Sequence, residues 1–254
     1  MTIERGDPVL RVKGATKRFG GILALDAVDI DVFASEILAV LGDNGAGKST
    51  LIKCMSGVYR LDSGQMEIDG EPVHIQSPAD ARRLGIETVY QDLALFDNLS
   101  PSANFYAGRE LAGPGWLPFG MRLLRRRSMD EATRDVLNRL DVGLPDQDGA
   151  VGLMSGGQRQ AVAVARATAF TSRIVILDEP TAALGVREAR GVLDLIRRLR
   201  DDGKAVIVIS HAMDHVMEIA DRAIVMRRGR KVGELVPTPE SQQRIVSLIV
   251  GGEG

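Results

Sequence analysis

A single cysteine, Cys54, stands in 254 residues, which excludes a disulfide framework and any multi-cysteine metal site. Neither sign of charge dominates: 32 basic residues face 34 acidic ones, for a net charge of −2. No global field therefore draws nucleic acid to the chain. No apolar run approaches the ~18 residues that span a bilayer. The first eight residues, Met1 to Pro8, lack an apolar core, so a signal peptide is not expected. What is present is 44% apolar sequence, enough for one large or two small domains and too much for a disordered chain. The expectation is a soluble α/β globule of a reducing compartment that meets a membrane only through a partner.

Short apolar runs bounded by turn residues predict strands at Val9 to Val12, Val28 to Val32 and Ile37 to Leu41. A glycine-rich turn follows, then a helix from Lys48 to Ser56 closed by Gly57. Gln65 to Val73 reads as a hairpin turning on Asp69-Gly70. Ser77-Pro78 opens a helix that ends near Gly85, and Ile86 to Tyr90 is a short strand. Between Asp92 and Met154 the character changes. Ser100-Pro101 and the box Ser128-Met129-Asp130-Glu131 read as helix starts, separated by an irregular stretch from Ala112 to Gly120. This block is expected to be a helical subdomain, at about residues 92–165, inserted in an α/β core. Strand and helix then alternate again. Ile174 to Leu177 and Ala205 to Ile209 are β-branched runs suited to central parallel strands, with the amphipathic helix Arg187 to Arg200 between them. Thr238-Pro239-Glu240 starts a last helix, stopped by Gly251-Gly252.

Gly42-Asp43-Asn44-Gly45-Ala46-Gly47-Lys48-Ser49 fits G-x-x-x-x-G-K-[ST], and Thr50 continues it into the helix. A triphosphate needs many backbone N–H donors converging on its oxygens, and glycines let the main chain curl close enough to supply them. The helix end adds further N–H groups and a positive dipole. Lys48 would place a charge on the β and γ oxygens, and the Ser49 hydroxyl would coordinate Mg2+. A glycine-rich turn alone binds nothing; the strand before it and the helix after it favour the nucleotide. Arg173 to Glu179 is an apolar strand ending in two carboxylates. Asp178 is the candidate on the metal side, and Glu179 the candidate base or orienter of an attacking water. A lone strand ending in surface acids would mean little; beside a phosphate loop it completes a site.

Met154-Ser155-Gly156-Gly157-Gln158 is a second helix start stripped of side-chain bulk, with Ser155 as cap and Gln158 three residues on. It resembles the signature motif of ATP-binding cassette (ABC) proteins, normally Leu-Ser-Gly-Gly-Gln, and Arg159 to Ala167 continues as that family does. The resemblance runs through the whole chain in order. It implies one ABC ATPase domain over residues 1–254, a P-loop NTPase of α/β class. Its parts would be a mixed, largely parallel sheet core, an N-terminal antiparallel β subdomain and the inserted helical subdomain. It further implies that Phe19 stacks on adenine, that Gln91 senses magnesium and the γ-phosphate, and that His211 is the switch histidine near that phosphate. In the family the signature helix caps the γ-phosphate held by the other subunit, so two copies would pair head to tail, each lending Ser155 and its neighbours. His74 and His215 are read as ordinary structural histidines, and Cys54 as packing in the helix after the phosphate loop.

Three departures from the family pattern stand out. Met154 replaces a leucine of similar volume. Phe19 replaces the commoner tyrosine and keeps the stacking face. Ala182-Ala183-Leu184-Gly185 stands where most members have Ser-Ala-Leu-Asp, so a carboxylate that would couple the two composite sites is missing. Tyr90 to Leu99, Glu179 to Val186 and Ser210 to Val216 look like ATPase subunits of bacterial monosaccharide importers, the second carbohydrate uptake family. That likeness implies ATP and Mg2+ as ligands and a homodimer on the cytoplasmic face of the inner membrane. It also implies a membrane permease docked around Asp92 to Arg109 and, indirectly, a periplasmic sugar-binding protein. The alternative is a soluble or regulatory ABC ATPase not coupled to sugar import. Nucleic acid is not expected as a partner, because the one basic cluster, Arg125-Arg126-Arg127, reads as a solvated helix flank.

Overall fold

Strands whose every side chain is apolar must be covered on both faces, and two such runs form the middle of this molecule. In the computed structural model, which describes residues 6–113, 123–170 and 172–251, Ile37–Leu41 (β3) and Ala205–Ile209 (β8) are buried at every position. They lie side by side in a six-stranded sheet with Ile86–Val89 (β6), Ile174–Asp178 (β7), Arg222–Arg227 (β9) and Arg230–Leu235 (β10). The order is β10-β9-β3-β8-β7-β6. All neighbours run parallel except β10, which returns antiparallel along β9.

A second sheet, wholly antiparallel, has the order β2-β1-β4-β5. It is built from Leu10–Phe19 (β1), Ile22–Val32 (β2), Ser63–Ile68 (β4) and Glu71–Val73 (β5). Its first two strands are longer than the apolar runs in the sequence, because Lys13, Thr16, Lys17 and Arg18 extend β1 along a half-exposed surface. The helices are Lys48–Met55 (α1), Pro78–Arg83 (α2), Pro101–Tyr106 (α3), Arg126–Arg139 (α4), Gly156–Thr168 (α5), Val186–Asp201 (α6), Met213–Ile219 (α7) and Gln242–Val250 (α8). Neither β9, β10 nor α7 is foreseen by the sequence reading.

The period of two sorts the central strands into layers. Leu38, Val40, Ile174, Ile176, Ile207 and Ile209 pack towards α1 and the antiparallel sheet. Ile37, Val175, Leu177, Val206 and Val208 point the other way, onto α5 and α6. Ala39, Leu41, Ala223 and Val225 join α7 and α8 on that same side. Between β6 and β7 the described residues contribute α3, α4 and α5 and no strand of either sheet. The rings of Tyr106 and Phe170 meet edge to face there, 5.6 Å apart.

One helix start is corrected. The box at Ser128 does not cap α4, which begins two residues earlier at Arg126 with no side-chain cap. The Arg125 N–H donates to the Leu111 carbonyl, and Ala112 bridges Leu124, so the chain is pinned just upstream and the helix starts at once. Of the irregular stretch Ala112 to Gly120, residues 114–120 lie outside the described residues, as does Gly252. At the C-terminal end, Thr238 caps as expected, but onto the single 3-10 turn Pro239–Ser241 that precedes α8. No helix among the described residues is long and apolar enough to cross a membrane.

The two sheets are tied by a buried cation. Arg222, at the start of β9, donates to both Glu36 carboxylate oxygens at 2.9 Å and to Glu234 Oε1 at 2.6 Å. It also reaches the Asp31 carbonyl in β2 and lies over the Phe33 ring. Its side chain and that of Glu36 are each only 5% exposed. Arg222→Ala should cost about 3 kcal/mol or more, because Glu36 would be left charged and buried. Thermal unfolding should register it as a fall in melting temperature of roughly 6–12 °C. Arg173→Ala, which removes a half-exposed pair with Asp69, should cost under ~1 kcal/mol in the same experiment.

Candidate functional site

Parallel strands end at one edge of their sheet, and the loops that leave β3, β7 and β8 meet there. The loop of residues 42–47 leaves β3 and runs into α1. Gly42 has φ +146°, and a Cβ on it would lie 2.3 Å from the Met226 carbonyl oxygen. Gly47, the residue before α1, has φ +103° and would meet the Ala24 carbonyl oxygen at 2.7 Å. Only glycine satisfies both the backbone angle and the close approach at these two positions. The turn between β9 and β10 supports the loop from behind: the Gly229 N–H donates to the Ala46 carbonyl at 2.9 Å, and Asp26 N–H to Gly229 at 2.9 Å.

Lys48 folds over this loop. Its ammonium donates to the carbonyls of Gly42, at 2.6 Å, and Asp43, at 3.0 Å. Burial lowers its pKa from the ordinary lysine value, against the pull of Glu179, Asp43 and Asp178. Asp178 ends β7, and burial, with the neighbouring Glu179 charge, raises its pKa. Ser49 is exposed in the first turn of α1.

Glu179 follows with φ +52°, a strained value for a side chain of this kind. The strain is held by main-chain bonds: its N–H donates to the Ile209 carbonyl at 2.9 Å, and its own carbonyl accepts from Ala182. Because Asp178 pairs with Ile209 across β7 and β8, residues 210 and 211 emerge beside Glu179. His211 Nδ1 lies 2.9 Å from Glu179 Oε1, with the imidazole 75% exposed and the carboxylate 16% exposed. An ammonium, a largely buried carboxylate held by an imidazole and an oxygen-bearing edge thus lie together at the carboxyl ends of the strands, where open α/β sheets take their ligands. Such a set can bind a phosphate chain and handle a proton of water beside it.

The other expected residues lie around or away from this crevice. Gln91 is exposed just past β6, the strand beyond β7. Phe19 ends β1 with its ring partly exposed, edge-on to Tyr59 at 5.1 Å and 5.6 Å from the Lys17 ammonium. Ser155 caps α5 in a reciprocal box: Gln158 N–H donates to Ser155 Oγ at 3.3 Å, and Ser155 N–H to Gln158 Oε1 at 2.9 Å. Gly156 and Gly157 form the first turn of that helix. This end of α5 opens into a cavity of about 530 Å3 that shares no lining residue with the cavity of about 410 Å3 beside Asp43 to Ala46.

His215 binds the Thr181 hydroxyl at 3.0 Å, as a structural histidine does. Cys54 is buried in α1 and its thiol is pushed up to about 11, which keeps it unreactive. Two features escape the sequence reading. The β9–β10 turn behind the phosphate loop carries only a Gly229 as its signal. Glu188, in the first turn of α6, places its carboxylate on the Gly185 N–H and against the start of α5; its signal is a position three residues after a helix cap.

Residues 25–182 match the family model described as ABC transporter. The chain is similar to the fructose import ATP-binding protein FrcA of Rhizobium meliloti, with 46% identity over 248 residues, 97% of this chain and 95% of that protein. It is 42% identical over 244 residues to a ribose import ATP-binding protein, RbsA 1 of Rubrobacter xylanophilus, but spans only 47% of that protein's length. Among solved structures it is similar to an ATP-binding cassette of an ABC transporter in its ADP conformation. There the TM-score is 0.82 at 25% identity, covering 98% of this chain and all of that one. On these matches the chain belongs to the ABC transporter family.

Proposed function

We propose that this chain is the ATP-binding and ATP-hydrolysing subunit of an importer that carries a monosaccharide through a membrane permease. The observation that carries the reading is the 2.9 Å pairing of His211 with Glu179 at the strand edge that also bears Lys48. In this reaction the N–H groups of residues 42–50 wrap the phosphates, and Lys48 leaves the Gly42 and Asp43 carbonyls for the β and γ oxygens. Phe19, partly exposed at the end of β1, offers its ring to adenine. Glu179 orients water and takes its proton as the water oxygen bonds to the γ-phosphorus. The bond to the β–γ bridging oxygen breaks, and ADP and phosphate leave. His211 holds Glu179 in line and faces the γ-phosphate.

Ser49, Gln91 and Asp178 offer a hydroxyl, an amide oxygen and a carboxylate, a hard donor set that fits Mg2+, and a half-buried acid beside Glu179 is well served by a cation. Bound there, Mg2+ would neutralise charge on the phosphate oxygens. A second copy of the chain supplies Ser155, Gly156, Gly157 and Gln158 to the γ-phosphate. Leu153 and Val186, 88% and 78% exposed at the starts of α5 and α6, are apolar surfaces suited to that contact.

Residues 92–165 act as the helical subdomain that receives the permease. A groove of about 260 Å3, lined by Tyr90, Phe96, Arg109 and Phe170 among others, opens between α3, α5 and β6, with Phe96 54% exposed at its rim. A short permease helix would dock an apolar side chain there, and the protein would then work at the cytoplasmic face of the inner membrane. A periplasmic binding protein would deliver the sugar. Sugar choice belongs to those partners: relatives named for fructose and for ribose match this chain almost equally well.

Glu179→Gln should lower kcat for ATP hydrolysis by about 10²–10⁴-fold while ATP still binds, measured as phosphate release and by equilibrium nucleotide binding. Lys48→Ala should lose nucleotide binding itself. Undiminished turnover in the first variant, or undiminished affinity in the second, would remove that residue from the mechanism. Phe96→Asp should abolish co-purification with a co-expressed permease while leaving the melting temperature within about 2 °C, since the ring is largely solvent-facing.

A further inference from the structure

Residue 185 is a glycine and brings no side chain of its own, yet a carboxylate reaches that place. It comes from Glu188, three residues into α6. The Gly185 N–H donates to Glu188 Oε2 at 3.3 Å. The stem of Glu188 lies so close to α5 that a Cβ on Gly157 would sit 2.8 Å from Glu188 Cβ and 3.0 Å from Cγ. Ser155 Oγ accepts from the Gln158 N–H, so its own hydrogen is free to point at an anion. The Ser155 hydroxyl, then the N–H groups of Gly185 and Gly157, hold the Glu188 carboxyl below its usual range, so it is charged at neutral pH. The nearest cations of the same cavity are Arg187 and Arg198, and Arg198 is already bound to Asp141 at 2.6 Å. Arg159, in the same first turn of α5, is paired with Asp97 at 2.6 Å.

We infer that Glu188 is a resident counter-anion of the α5 N-terminus, which must move away from Ser155 and Gly157 before a partner's nucleotide can be capped, and so sets how much ATP is needed to close the dimer. The inference rests on the proposed head-to-tail pairing. A carboxylate and a γ-phosphate compete for the same donors, and if the carboxylate does not move it repels the phosphate. Either way the charge opposes closure. In the resting protomer the same charge is favourable, because it satisfies orphan donors of α5 and links them to the 184–185 segment. Glu188 is therefore a positioning residue whose hold on Ser155 is exchanged for the partner's phosphate.

The test uses the full chain carrying Glu179→Gln, so that ATP is not consumed, and follows dimer formation by sedimentation as ATP and Mg2+ are titrated. Adding Glu188→Gln should lower the ATP concentration at half-dimerisation about three- to tenfold, the scale of one charge at a helix end. Glu188→Ala should lower it as well, although it removes packing between α5 and α6. A role in packing alone predicts the reverse, a raised midpoint in both variants. An unmoved or raised midpoint therefore overturns the inference while leaving the nucleotide clamp intact. If the Glu179→Gln chain does not dimerise with ATP at all, or dimerises equally with Lys48→Ala added, the clamp itself fails and the inference falls with it.

Discussion

The parallel register of β3, β8 and β7 governs everything that happens at the strand edge. Val40 lies opposite Ile209, and Ile209 opposite Asp178, so three loops that are far apart in sequence leave the sheet at one level. The same register supplies the bond that holds Glu179 in its strained backbone, since the acceptor is the Ile209 carbonyl. Slipping β7 by one residue would turn its apolar faces over and carry Glu179 away from His211. That slip is opposed by the full burial of Ile174, Val175, Ile176 and Leu177 on alternating faces. Core packing and site geometry are in this sense one constraint.

Charge at the edge is balanced without being satisfied. Lys48 is a cation surrounded by carbonyl oxygens, with its pKa lowered by burial. Asp178 is an acid made weaker by burial and by its neighbour. Each would be better served by an opposite charge brought from outside: a phosphate for the ammonium, a cation for the carboxylate. Free energy stored in unfavourable solvation of this kind is released on binding, which favours a ligand that brings both charges together.

Local chemistry was legible in the sequence and tertiary chemistry was not. The phosphate loop, the acids at the end of β7 and the box from Ser155 to Gln158 each lie within a few residues, and the spacing alone conveys the geometry. The long strands β1 and β2 were only half visible, because their outer ends are polar and exposed. The box at Ser128 misled for the opposite reason. Its pattern is local, but the bond from Arg125 to Leu111 and the bridge from Ala112 to Leu124 move the start of α4 upstream. Arg222 with Glu36, and Gly229 behind Ala46, join residues more than 180 positions apart. No window of sequence contains such pairs. Glu188 was missed in the same way, since its partners Ser155 and Gly157 belong to another helix.

The two glycine-rich helix ends are treated in opposite ways by the protomer that carries them. At the start of α1 the chain's own cation folds back on the loop carbonyls; at the start of α5 the chain's own anion, Glu188, packs its stem against Gly157 while accepting from the Gly185 N–H. At α1 the N–H groups of the first turn keep no side-chain cap, so that end stays open to an anion. In the proposed cycle a nucleotide exchanges each internal contact for an external one: Lys48 for a phosphate, Glu188 for the partner's phosphate. Because hydrogen bonds are traded with little change in their number, closure need release only a modest free energy, a matter of a few kcal/mol. A small net change is what a repeating cycle requires, since a clamp that closed far downhill would not reopen once phosphate had left.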